Sequence, residues 1–122
     1  MSQADPGAPS TELDPEDRKI VVLARSTRAR TGAAEGAAVR DTDGRTYAAA
    51  TVALSSLRLS ALQAAVAAAV SSGAPGLEAA AVVSADGAEP DAESLAAVRE
   101  LTAKGPVVLA DAKGEVRAVL TP

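Results

Sequence analysis

The chain of 122 residues has no cysteine, no histidine, no tryptophan and no phenylalanine. The first two absences remove much of the side-chain chemistry available near neutral pH. Without cysteine there is no disulfide, no thiolate nucleophile and no thiolate ligand. Without histidine there is no imidazole to take up a proton or bind a metal. A Ser-His-Asp triad is therefore excluded. Serine–lysine chemistry would need Lys19, Lys104 or Lys113 beside a serine, and no spacing in the chain points to such a pair. The absence of cysteine leaves the redox compartment open.

Aromatic residues are almost absent: Tyr47 stands alone. Hydrophobic residues make up 48% of the chain, enough for a folded domain rather than a disordered one. Much of that share is alanine, and burial is worth only about 25 cal/mol per Å² of apolar surface. The core is expected to be thin and carried by Val, Leu and Ile. A thin core draws stability from subunit contacts, so a homo-oligomer, dimer or tetramer, is expected. Positive charge is also scarce, with a net charge of −4 and no long basic run. Nucleic acid is therefore not an expected partner. Arg25, Arg28 and Arg30 read as a solvated helix face. No stretch approaches the roughly 18 apolar residues that span a bilayer, so no membrane partner is expected. The first residues, Met-Ser-Gln-Ala-Asp-Pro, lack the basic and apolar regions of a signal peptide, which leaves a cytoplasmic location as the default. Gly44, Gly87 and Gly114 sit in turns, and none belongs to a phosphate-binding Gly-x-x-x-x-Gly-Lys loop. No cofactor is expected.

What is present organises into one domain over 14–122, preceded by a Pro-, Ser- and Ala-rich stretch over 1–13 that reads as a disordered tail. Asp14 suits a helix cap, Pro15 the first helical position, and Glu16 and Asp17 the positive helix end. Ile20, Val21, Leu23 and Ala24 form an apolar stripe, and Gly32 a stop. Residues 36–40 and 45–50 read as strands joined by a tight Asp-Gly hairpin turn, Asp41-Thr42-Asp43-Gly44. A loop over 51–56 leads to the strongest helix, 57–70, apolar nearly all round and so central. Residues 77–84 suit an inner strand. Asp91 caps a third helix, 92–103, with Leu95, Val98 and Leu101 on one side. Residues 107–110 and 115–120 form a last antiparallel pair. The order predicts an α/β fold with three layers, α/β/α, around a mixed five-stranded sheet. No internal repeat is visible.

This order resembles the cytidine deaminase family. Glu35-Gly36-Ala37-Ala38-Val39, with Asp43-Gly44 and Tyr47, is similar to that family's first hairpin. The helix over 57–70 followed by Ser71-Ser72-Gly73 is similar to its central helix, and Pro90 with the helix after it to its third. The resemblance spans about residues 15–122. It implies a zinc site built from a His/Cys-x-Glu segment and a Pro-Cys-x-x-Cys segment, with the glutamate moving protons. At those positions this chain has Ser60-Ala61-Leu62 and Pro90-Asp91-Ala92-Glu93-Ser94. Ser60, Asp91 and Ser94 stand at ligand positions and Leu62 at the glutamate position. Thr51-Val52-Ala53 stands where the family has a substrate-holding Asn-Val-Glu, so Thr51 and Ala53 join the remnant pocket. The loop between Val52 and Ser60 is about two residues shorter than the resemblance leads one to expect, which crowds the pocket.

Serine hydroxyls remain protonated and are poor zinc ligands, and leucine transfers no proton. No catalytic, cofactor or metal residue is therefore expected. A small polar pocket at two helix starts could hold water or an anion. Local readings compete with this. Asp91 reads as a cap, with Ser94 completing it; Ser60 as a hydroxyl bonded back to a carbonyl within its helix; Glu35 as a surface charge; Tyr47 as a packing residue. Ala64, Ala65, Ala67, Ala68 and Ala69 fit either a close-packed core or an interface. The resemblance implies a homotetramer with helices meeting at its centre.

The leading expectation is a catalytically inactive relative with a structural or protein-interaction role and an unidentified partner. The second is a non-catalytic nucleoside- or nucleotide-binding protein. Catalytic readings keep either the family's hydrolytic activity by descent or another mechanism with Asp91 or Glu93 as base.

Overall fold

In the computed structural model, residues 13–122 are described. The tail expected over 1–13 lies outside them except for Leu13, which is half-buried and packs beneath the first helix.

That helix, α1 (Pro15–Thr31), begins as its sequence dictates. The Asp14 carboxylate accepts the Glu16 N–H at 2.8 Å, and Gly32 ends the helix in the left-handed region at φ 67°. Its buried face is Ile20, Val21, Ala24 and Thr27. Leu23, expected in that stripe, lies at its edge and is exposed.

Strands β1 (Gly36–Asp41) and β2 (Thr46–Ala50) form the first hairpin. Its turn is the expected Asp41–Gly44, with the end of β1 and the start of β2 each one residue later than expected. The Asp41 N–H donates to the Arg45 carbonyl, the Gly44 N–H donates to the Asp41 carbonyl, and Gly44 takes φ 85°. The last two strands, β6 (Val107–Ala110) and β7 (Val116–Leu120), repeat this turn through Asp111, Gly114 and Glu115. The two hairpins thus share a turn motif that the sequence does not advertise as a repeat.

The segment expected to be a loop carries a small hairpin, β3 (Val52–Ala53) with β4 (Arg58–Leu59). It shortens the central helix to α2 (Ala61–Ser71), which begins four residues after the expected start. β5 (Leu77–Val83) is the inner strand. The third helix, α3 (Ala92–Arg99), stops four residues before the expected end. It stops because the Leu101 carbonyl accepts the Leu77 N–H, which draws the chain out of the helical path.

The five-stranded sheet has the order β2-β1-β5-β6-β7, with β5 and β6 parallel and the other pairs antiparallel. This is the expected mixed sheet between helical layers. On one face α1 packs Ile20, Val21 and Ala24 on Ala38, Ala79, Ala81 and Val108. On the other, α2 and α3 bury Leu62, Ala65, Val66 and Val98 against Val39, Val82, Val107 and Leu109. A bulge at Glu78 reverses side-chain parity, so Leu77 faces α2 and α3 while Ala79 faces α1. Arg40 ties the α1 layer to the sheet, donating to Asp17 and to Glu78, each at 2.9 Å.

Candidate functional site

The site lies where α2 and α3 begin, on the same side of the sheet. β4 delivers Ser60 in extended conformation, at φ −67° and ψ 161°. The Ser60 Oγ accepts the Gln63 N–H, and the Gln63 Oε1 accepts the Ser60 N–H, both at 3.0 Å. This reciprocal pair is a capping box. Ser60 therefore starts its helix, and the expected bond back to a carbonyl within the helix is not made. α3 starts in the same way. Asp91 is extended, and its Oδ1 accepts the Ser94 N–H at 2.8 Å.

The two starts meet. The Ser60 and Ser94 hydroxyl oxygens are 2.6 Å apart, a short hydrogen bond, and Ser94 is fully buried. Glu35, expected as a surface charge, is half-buried here, and its Oε1 accepts the Ala61 N–H at 3.3 Å. Thr51 fixes Glu35 in turn: the Thr51 Oγ1 accepts the Glu35 N–H at 3.0 Å, and the Thr51 N–H donates to the Glu35 carbonyl.

A cleft of about 460 Å³ opens beside this cluster. Thr51, Ala53, Ser60 and Asp91 line it, with Arg58, Gln63 and Glu93. Two depressions elsewhere are slightly larger, about 540 Å³ by Lys113 and Arg117 and about 520 Å³ by Val22 and Leu23, but neither holds a residue of the expected remnant pocket. Leu62 does not line the cleft. It is 1% exposed and belongs to the apolar layer beneath. Tyr47 stays outside as well. Its ring packs on that layer and its hydroxyl donates to the Asp41 Oδ2 at 2.7 Å.

At the two helix starts the electrostatics run against an external anion, although Arg58 lines the cleft beside them. The positive ends of α2 and α3 already face the chain's own carboxylates, Glu35 and Asp91, and Glu93 adds a third at the rim. The Asp91 carboxyl is held below its ordinary value by hydrogen bonds from the Ser94 hydroxyl and N–H, against burial that raises it. A general base poised near neutral pH requires the opposite displacement, so Asp91 is poorly suited to that task.

A hydrolytic zinc ion, which the family resemblance implies, does not fit these residues. The Ser60 and Ser94 oxygens are neutral and bonded to each other, and Asp91 is committed to capping. Among the described residues, no three His, Cys, Asp or Glu side chains converge to hold a metal ion. Leu62 fills with hydrocarbon the position that the family resemblance gives to the proton-carrying glutamate. What the cluster does offer is a dense set of internal hydrogen bonds beside a small cleft of mixed polar and apolar lining. No helix among the described residues is long and apolar enough to cross a membrane.

The backbone is similar to that of several solved structures. A cytidine deaminase from Burkholderia pseudomallei aligns with TM-score 0.74 and 23% identity, over 84% of this chain and 90% of that one. One from Mycobacterium leprae gives 0.65 and 20%, over 81% and 89%. A mutant cytidine deaminase from Mycobacterium tuberculosis gives 0.66 and 26%, over 79% and 85%. Comparison with curated proteins yields no match. The family described as cytidine deaminase-like matches residues 13–114, which is most of the sequence and includes both helix starts of the site. On that match, and on a fold shared over 84% of the chain, the chain belongs to the cytidine deaminase-like family.

Proposed function

We propose that this protein is a non-catalytic member of its family, acting through its folded surface as a structural or protein-interaction component in the cytoplasm. The observation that carries the reading is the content of the site. Ser60, Asp91 and Ser94 are bound to one another where the family resemblance puts metal ligands, and Leu62 is buried where it puts the glutamate. Hydroxide forms near neutral pH only with an activating metal or base, and these side chains supply neither. An ammonia-release assay on cytidine, run on protein made with zinc in the medium, tests this directly. The expected rate is that of buffer alone, and zinc-dependent turnover would refute the proposal.

Homo-oligomerisation belongs to the same proposal. α2 carries no charged side chain, and its outer side presents Ala67 and Val70, the latter 52% exposed. Leu54 and Leu57 stand exposed at the tip of the β3–β4 hairpin. Apolar groups in such positions gain from contact with a second copy. Light scattering coupled to size exclusion is expected to give a dimer or tetramer mass, and a monomer at micromolar concentration would remove this part.

A second reading, non-catalytic nucleoside or nucleotide binding, is favoured by the cleft, whose volume suits a small molecule and whose lining includes Arg58, a cation that a phosphate could meet. Thermal shifts across a panel of nucleosides and nucleotides separate it from the first. A saturable rise for one compound supports binding, and a flat panel eliminates it.

A further inference from the structure

We infer that Ser60 and Ser94 form a metal-free clasp that joins the starts of α2 and α3, doing with hydrogen bonds what a shared ion would do with coordination. The inference rests on the reading that this chain holds no metal.

Ser94 is fully buried, and a buried hydroxyl without a partner is costly. Its partner is Ser60, 34 residues earlier and on another helix. Each hydroxyl has one proton to give. Either hydroxyl can donate to the other, and the Ser94 N–H donates to the Asp91 Oδ1. The Ser60 Oγ accepts the Gln63 N–H. The result is one connected set of bonds that ties the cap of α2 to the cap of α3: Gln63 N–H to Ser60, Ser60 to Ser94, and Ser94 N–H to Asp91.

The clasp matters most to α3. That helix has eight residues, of which only Ser94 and Val98 are fully buried. The rest of its attachment is the half-buried Leu95 and Ala97, so the clasp is the polar part of a small set of anchors. Isolated helices of this length are unstable, so α3 depends on what it is fastened to.

A double-mutant cycle with Ser60→Gly and Ser94→Ala tests this. Glycine is a tolerable N-cap, so S60G removes the hydroxyl with little loss of capping. Unfolding constants from urea titration of the wild type, both single variants and the double variant give the coupling. It is expected to be about five- to tenfold, the size of one hydrogen bond. Amide exchange over residues 95–98 is expected to accelerate in S60G, although the substitution lies on the other helix. Effects that multiply within about twofold, together with unchanged exchange on α3, would overturn the clasp. Should S94A fail to fold, exchange in S60G alone decides. Zinc content is measured on the same wild-type sample. Multiplying effects without zinc defeat the clasp alone, whereas one zinc per chain defeats the non-catalytic reading on which it rests.

Discussion

Gly36 begins β1 directly against α1, and Gly36→Ala is expected to be among the most damaging single-methyl changes in the protein. A Cβ at this position would collide with the Ala24 carbonyl oxygen. It would also lie 2.8 Å from the Arg28 amide nitrogen and 2.9 Å from the Arg28 Cβ. Two of these neighbours are helix backbone, which cannot rotate away as a side chain can. Relief requires α1 and the sheet to separate by about 1 Å, enough to lose a quarter to a half of each dispersion contact across the gap. Ile20 and Val21 cross that gap and are each worth about 1.5–3 kcal/mol when fully buried. Adding about 1–3 kcal/mol of overpacking strain gives a total near 3–4 kcal/mol. For a domain of this size that lowers Tm by about 12–16 °C. Gly32→Ala is the control. It has open space around it but a left-handed backbone, and costs about 1 kcal/mol. Urea titration of both variants measures the two costs. A Gly36→Ala variant no less stable than Gly32→Ala would refute the close approach of α1 and β1.

Leu62→Ala removes buried hydrocarbon between α2 and the sheet and is expected to cost about 3 kcal/mol by urea denaturation. Leu62→Glu, which places a carboxylate at the position the family resemblance gives to glutamate, is expected to cost more than that and to release no ammonia from cytidine; a stable, active variant would contradict the site described above. The pH profile of stability is set by carboxylates. Burial raises Asp41 and Asp111, but hydrogen bonds outweigh it, led by the Tyr47 hydroxyl at Asp41 and the Glu115 N–H at Asp111, and both lie below 3.8 when folded. Asp91 lies below it through Ser94. A lowered folded value stabilises above the unfolded one, so this contribution is full above about pH 5 and is lost as pH falls through 3.8 and below. With no histidine in the chain, thermal midpoints are expected to stay flat between about pH 5 and 8 and then to fall in acid. A step near pH 6–7 would show that another group controls folding.

The strongest sequence signals proved to be the local ones. Asp14, Pro15 and Gly32 bracket α1 because capping and left-handed termination involve only near neighbours. The mixed sheet was legible from five strand-like runs and the turns between them. Errors arose where tertiary contacts override periodicity. Leu57 and Leu59 continue the apolar rhythm of α2, yet they belong to the β3–β4 hairpin, and the capping box Ser60-x-x-Gln63 was the overlooked sign of the true start. Leu101 fits the period of α3, yet its carbonyl is taken by Leu77. Gly105 follows four residues later, where a Cβ would lie 2.6 Å from the Glu78 carbonyl oxygen. Glu35 could not be placed by local reasoning, since its partner Ala61 lies 26 residues away. The pairing of Ser60 with Ser94 was equally hidden. The family resemblance put both at ligand positions but gave no indication that they bond to each other.

The most direct measurement is metal analysis of the purified protein by mass spectrometry, after expression with added zinc and with cytidine turnover followed on the same sample. The account predicts zinc well below one equivalent per chain and no ammonia above background. One tightly held zinc per chain with sustained turnover would contradict it.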